Sequence, residues 1–273
     1  MDDYVINLIK NALKEDIPKI DVSSEYLFSN EQSFGNFIAK EEGVISGIDV
    51  CQEVFKQIDN DIKFTVFKQD GTFVKTGEII ANVSGLTKSI LKAERVGLNF
   101  LQRMSGIATM TKRFVQEVSG YNTEILDTRK TTPLLRILEK QAVRDGGGTN
   151  HRMNLSDMVM LKDNHLKSAS SIKEAVYKVR NAIGKSLKIE VEVETIEQFK
   201  EALLSDCDII MLDNMNNDMM KTCVELNNKK KKIEASGNMT LERVKSVAET
   251  GVDYISVGGL THSYKSMDIS LKF

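Results

Sequence analysis

Hydrophobic and polar positions follow one pattern up to about Gly120 and another beyond it. In the first stretch the elements are mixed. Apolar spacing near one helical turn predicts amphipathic helices over 4–14 and 47–58, and β-rich runs predict strands over 36–41, 62–67 and 78–83. Asp70-Gly71 and Gly77 mark turns between them. A helical pattern then runs over 87–118. Helices of that length without internal caps are unusual in globular domains, so two helices meeting at Ser105-Gly106 are expected.

After Gly120 the rhythm becomes regular. Apolar, β-branched runs at 124–126, 159–161, 187–193, 209–212, 232–235 and 254–257 alternate with helical patterns at 134–143, 172–182, 197–204, 218–226 and 241–249. Strand and helix in alternation predict right-handed βαβ units and a parallel sheet. Such units either close into a barrel or lie open, and the ends of the runs favour the first. They finish in Asp127-Thr128-Arg129-Lys130, Lys162-Asp163-Asn164-His165, Glu192 with Glu194, Asp213-Asn214, Ser236-Gly237-Asn238 and Gly258-Gly259. A barrel gathers all its C-terminal strand ends on one rim, whereas an open sheet uses only the few at its switch point. The expected class is α/β, with an N-terminal α+β domain over 1–112 and a barrel domain over 113–273. Residues 265–273 are a candidate last strand of the N-terminal domain.

Composition narrows the function. Lys and Arg number 37 against 39 Asp and Glu, a net charge of −2, which argues against a nucleic-acid binder. No apolar run is long enough to span a membrane, and Met1-Asp2-Asp3 lacks the layout of a secretory signal. Cys51, Cys207 and Cys223 are scattered, suggesting neither a disulfide framework nor a zinc site. A reduced, cytoplasmic setting is expected.

Cations are instead concentrated locally. Arg129, Lys130, His151, Arg152 and Lys162 interrupt apolar segments, where unpartnered charge is expensive. They call for a small anion carrying several negative groups. The run from Lys229 to Lys232, by contrast, reads as a solvated face. Ser236-Gly237-Asn238 and Val257-Gly258-Gly259 suit phosphate, because glycine lets backbone N–H groups approach an anion closely. Glu192 and Asp213 end successive strands and suit Mg²⁺, with a salt bridge from Glu192 to Lys162 or Lys130 as the competing role. Alternation along the strand leaves the choice among Glu190, Glu192 and Glu194 open. Upstream, Arg95, Asn99, Gln102 and Gly106 form a polar stripe on a helix. Nucleophilic and Walker-type motifs are absent, and nothing singles out Lys130 or Lys162 as a Schiff-base lysine.

Taken together, Glu94-Arg95, Leu98-Asn99-Phe100-Leu101-Gln102-Arg103, Ser105-Gly106-Ile107-Ala108-Thr109, Asp127-Thr128-Arg129-Lys130-Thr131-Thr132-Pro133, Asn150-His151-Arg152, Lys162-Asp163-Asn164-His165, Glu190-Val191-Glu192-Val193-Glu194 and Ser236-Gly237-Asn238 resemble quinolinate phosphoribosyltransferase. The resemblance spans nearly the whole chain. One departure is Ile17-Pro18-Lys19-Ile20-Asp21, where the family usually follows Glu-Asp with a Gly-Asp turn.

The resemblance implies an N-terminal α/β sandwich and an incomplete α/β barrel, in a homodimer whose sites are shared between subunits; assembly beyond the dimer stays open. It implies that quinolinate and phosphoribosyl pyrophosphate become nicotinate mononucleotide, pyrophosphate and carbon dioxide. It implies quinolinate held by Arg95 from the neighbouring subunit with Arg129, His151, Arg152 and Lys162, and Thr128 among the substrate-binding residues. Lys130, Glu192 and Asp213 then handle ribose, pyrophosphate and Mg²⁺ as the catalytic set. Ser236, Gly237, Asn238, Val257, Gly258 and Gly259 take the 5′-phosphate. The alternatives are a pyrophosphorylase-like paralogue associated with molybdenum transport, a nicotinate phosphoribosyltransferase and a non-catalytic barrel binding a phosphorylated metabolite.

Overall fold

The computed structural model describes residues 1–166 and 169–273. Its elements open with α1 (Asp3–Asp16), α2 (Val22–Leu27), β1 (Gln32–Ala39), β2 (Gly43–Val44) and α3 (Ile48–Ile58). Then come β3 (Lys63–Val66), β4 (Phe73–Val74), β5 (Ile79–Leu86), α4 (Thr87–Glu117), β6 (Glu124–Leu126) and α5 (Arg136–Asp145). β7 (Val159–Leu161), α6 (Asp163–Leu166), α7 (Ile172–Ile183), β8 (Ile189–Val193), α8 (Ile196–Leu203) and β9 (Ile209–Asp213) follow. The chain closes with α9 (Asn217–Asn227), β10 (Lys232–Ser236), α10 (Leu241–Ala248), β11 (Tyr254–Ser256), α11 (Gly259–His262) and β12 (Ile269–Lys272).

These elements fall into two compact units. One comprises Met1–Lys112, Thr132–Gly147 and Ser263–Phe273; the other comprises Arg113–Thr131 and Gly148–His262. The first is built on an antiparallel sheet ordered β12-β1-β5-β3, in which Ala39 of β1 pairs with Ile269 of β12. Phe37, Phe55 and Phe64 meet at ring-centroid distances of 5.3–5.7 Å beneath it, in edge-on or tilted geometries favourable for aromatic pairs. The unusual Ile17–Asp21 stretch has a local use: Asp21 accepts from the amides of Ser23 and Ser24 at 3.0 and 3.2 Å and so caps α2.

The expected break at Ser105-Gly106 does not occur, and α4 is one helix of 31 residues. Gly106 is there for proximity rather than for bending, since a Cβ at this position would lie 2.3 Å from the Lys265 carbonyl oxygen. Helix α5 belongs to the first unit, although its pattern had the rhythm of the second. Its Glu139 is fully buried and pairs with Arg103 of α4, whose Nε donates to Glu139 Oε1 at 3.1 Å. The other oxygen of Glu139 accepts from the Thr132 amide at 3.1 Å.

The second unit is a six-stranded parallel sheet, ordered β6-β11-β10-β9-β8-β7, with helices between successive strands. The sheet does not close, so the barrel is incomplete and β6 and β7 are its edges. Val191, Ile210, Leu212, Ile233, Ala235 and Ile255 are essentially inaccessible and supply the apolar contact expected of strands covered by helices. Lysines 229–232 are not merely a solvated face: Lys231 Nζ donates to the carbonyls of Ser205 and Cys207 at 2.9 and 2.7 Å.

Candidate active site

The second unit carries the candidate chemistry at the C-terminal ends of its strands. Beyond β6, Asp127 is fully buried. Its Oδ1 accepts from the His151 amide at 2.9 Å and its Oδ2 from Asn150 Nδ2 at 2.5 Å. The Thr149 amide donates to the Ile125 carbonyl at 2.8 Å, and the Asp127 amide to that of Thr149 at 3.2 Å. Residues 149–151 are therefore zipped against the open edge of the sheet, which sets the positions of His151 and Arg152.

Arg129 and Arg152 are near enough for their like charges to interact. Arg152 donates through Nη1 to the Met158 carbonyl at 3.0 Å. Its burial, together with the nearby charge of Arg129, holds its pKa below the ordinary value. Arg129 Nε is buried and has no hydrogen-bond partner among the described residues. A buried donor left unmatched beside a like charge is costly, and an anionic ligand would relieve both conditions.

Lys130 is held through its backbone. Its amide donates to Thr128 Oγ1 at 3.0 Å, and its carbonyl accepts from Thr261 Oγ1 at 2.9 Å. A Cβ at Gly258 would stand 3.1 Å from Lys130 Cδ, so glycine there leaves room for the lysine stem. On β8 and β9, Val193 pairs with Leu212, which puts Glu192 and Asp213 at neighbouring strand ends. Lys162 Nζ lies 3.3 Å from Glu192 Oε2, and Asp213 Oδ2 accepts from Asn214 Nδ2 at 2.8 Å. The anticipated alternative partner of Glu192, Lys162, is thus realised.

The candidate phosphate loop after β10 is shaped by left-handed backbone. Gly237 has φ 97°, while Asn214 and Asn238 have φ 53° and 48°. A Cβ at Gly237 would meet Asn214 Oδ1 at 2.2 Å, so glycine is required twice over. Arg243 ties this loop to its neighbour, donating to the carbonyls of Gly237 at 2.9 Å and Met215 at 2.9 Å. In the loop after β11, Val257 is buried and its amide donates to the Leu126 carbonyl at 2.9 Å. Val257 therefore anchors the strand end.

Beneath the rim lies a cluster that the sequence did not reveal. His151 Nε2 is 3.0 Å from Glu190 Oε2 and 3.4 Å from Glu234 Oε2, and both acids are fully buried. Ser256 Oγ donates to Glu234 Oε1 at 2.6 Å. Burial alone would lower the imidazole pKa, but the hydrogen bonds and charges of Glu190 and Glu234 raise it well above the usual value. Burial and the charge of Glu234 push the Glu190 carboxyl upward in turn. An acid inside the apolar run 232–235 was the available signal for Glu234; Glu190 was one of three alternating candidates. Arg95, the remaining expected contributor, is exposed on α4 in the first unit.

The donors at this rim suit a ligand with carboxylates and phosphates, and known proteins with similar chains agree. Residues 21–105 match the family described as quinolinate phosphoribosyl transferase, N-terminal domain, and residues 107–272 its C-terminal domain. The chain is 44% identical over 264 residues to a probable nicotinate-nucleotide pyrophosphorylase [carboxylating] of Bacillus subtilis, covering 97% of this chain and 91% of that protein. The crystal structure of NadC from Streptococcus pyogenes superposes with a TM-score of 0.95 at 40% identity, over 98% of this chain and 95% of that one. The nicotinate-nucleotide pyrophosphorylase of Francisella tularensis gives 0.96 at 38% identity, over 99% and 96%.

Proposed function

The chain belongs to the quinolinate phosphoribosyltransferase family, and on that premise we propose that its rim joins quinolinate to phosphoribosyl pyrophosphate. The products are nicotinate mononucleotide, pyrophosphate and carbon dioxide, a step of NAD biosynthesis. The enzyme is a carboxylating pentosyltransferase. The observation that carries this reading is the Arg129–Arg152 pair, with Arg129 Nε buried and unmatched. Guanidinium forks match carboxylates in shape and charge, and His151 and Lys162 extend the set for a second carboxylate.

Chemistry follows from that placement. The pyridine nitrogen attacks the anomeric carbon as the bond to pyrophosphate breaks, and Glu192 can offset the positive charge that develops on the sugar. Lys130 meets the charge gathering on the departing pyrophosphate. The alkylated ring is then positive, so it accepts the electron pair released when carbon dioxide leaves, and that ring carbon is afterwards protonated. Binding, orientation and exclusion of water are what the protein must supply.

Magnesium fits the donor set, since Glu192 and Asp213 offer hard oxygens at adjacent strand ends and few protein ligands suffice when phosphates complete the shell. Glu192 and Asp213 would hold the ion, which would supply charge neutralisation to the pyrophosphate. The working form is a homodimer in which the partner's Arg95 completes the quinolinate site. A cytoplasmic setting suits Cys51, Cys207 and Cys223, all buried free thiols. Among the described residues no helix is long and apolar enough to cross a membrane.

Incubating the protein with quinolinate, phosphoribosyl pyrophosphate and Mg²⁺ should yield mononucleotide and carbon dioxide, and excess chelator should abolish both. Normal rates in chelator would remove the metal from this account. Absence of product under all metal conditions would instead favour a binding protein.

A further inference from the structure

We infer that Glu190 and Glu234 are positioning residues for quinolinate: together they hold the His151 imidazole in one orientation beneath the rim. This rests on the quinolinate reading above. Barrel interiors are ordinarily filled by branched apolar side chains, and buried carboxylates are retained there only at a cost. Glu190 sits two residues before Glu192 on β8, and Glu234 two before Ser236 on β10. By strand alternation each points to the same side as the rim residue above it, about 7 Å lower.

Both acids lie against one ring nitrogen. Ser256 Oγ, at 2.6 Å from Glu234 Oε1, fixes that carboxylate so that Oε2 is the oxygen lying 3.4 Å from His151 Nε2. Glu190 Oε2 is 3.0 Å from the same nitrogen. The donors on this pair are His151 Nε2 and Ser256 Oγ, and Glu190 Oε1 has no hydrogen-bond partner among the described residues. The backbone end of His151 is already fixed, through its amide, on Asp127 Oδ1 at 2.9 Å. The two glutamates, both against Nε2, restrain rotation of the ring. With Nε2 engaged below, a ligand carboxylate meets the opposite, Nδ1 edge. The raised imidazole pKa supports the same arrangement, because an imidazolium donates from both nitrogens.

A structural role and a positioning role separate in kinetics. In the full enzyme, Glu190→Gln and Glu234→Gln preserve side-chain shape while removing charge. Each should raise KM for quinolinate by about tenfold or more, the scale of one lost charge-assisted hydrogen bond, and leave KM for phosphoribosyl pyrophosphate within about twofold. The unmodified protein provides an independent check. It has three histidines, and ¹⁵N NMR at pH 7.5 should show the His151 signal, identified by its loss in His151→Asn, protonated at both ring nitrogens. Unchanged quinolinate KM in folded variants would overturn the inference, as would equal increases for both substrates. So would a neutral His151 ring, or stoichiometric bound transition metal, since His151, Glu190 and Glu234 also have ligand atoms within 4.8 Å of one another. A parent enzyme that fails to use quinolinate at all would instead count against the function proposed above.

Discussion

At the scale of single residues, the site is a collection of charges that the chain alone does not balance. Burial and the nearby charge of Arg129 hold the Arg152 pKa below its ordinary value, and Arg129 Nε has no acceptor among the described residues. Replacing Arg152 by alanine removes one half of that demand for an anion. The expected loss in quinolinate kcat/KM is about 2–5 kcal/mol, roughly 30-fold to several thousand-fold. Affinity for phosphoribosyl pyrophosphate, read by calorimetry, should stay close to the parent value, because Lys130 and the glycine loops are the proposed seat of its phosphates. The cations were legible in the sequence because Arg129, His151 and Lys162 interrupt apolar runs, which only a site makes worthwhile. Glu190 and Glu234 were not, because alternation shows that an acid points inward without showing what it meets there. Their partner, His151, is 39 residues from Glu190 in the chain.

At the scale of elements, strand ends proved far easier to read than long helices. The six runs beyond Gly120 appear as β6 to β11, within a residue or two of the sequence-based bounds. Their apolar centres and polar or glycine ends carry both period and chemistry. The 31-residue α4 defeated the same approach: Ser105-Gly106 looks like a break, but the reason for the glycine is a carbonyl oxygen of a segment some 160 residues later. Short elements such as α2, β2 and β4 have too few residues for a period to register. Arg243 escaped for a related reason, since a basic residue in the first turn of a helix looks like ordinary surface. Its guanidinium in fact bridges the loops after β9 and β10. Arg243→Ala should deprive three loop carbonyls, those of Met215, Gly237 and Asn238, of this donor, lowering stability in urea melts by about 1–3 kcal/mol. It should also raise KM for phosphoribosyl pyrophosphate more than KM for quinolinate, because the loop it holds carries Gly237.

At the scale of the whole molecule, an incomplete parallel barrel places seven chain segments on one rim, six strand ends plus the 149–152 stretch. Fold class was legible from strand-end chemistry, and the family from motifs whose combination no single strand explains. The shared dimeric site is a proposal about Arg95, which is exposed on the first unit and is expected to find its anion in a neighbour. Mixing Arg95→Ala with Lys130→Ala protein under conditions that allow subunit exchange should restore part of the activity. A mixed dimer then carries one site with neither lesion. Demonstrated exchange without recovery would dismiss the shared site.

The central claim is that these cations select a dicarboxylate, and a direct competition between two acids tests it. Quinolinate labelled in its 2-carboxylate and unlabelled nicotinate would be offered together with phosphoribosyl pyrophosphate and Mg²⁺. Released label and mononucleotide should appear in equal amounts from quinolinate. Nicotinate should be used at least about 30-fold less efficiently, because its single carboxylate leaves a buried cation unpaired. Comparable use of the two acids, or mononucleotide formed from quinolinate without matching release of carbon dioxide, would contradict the account.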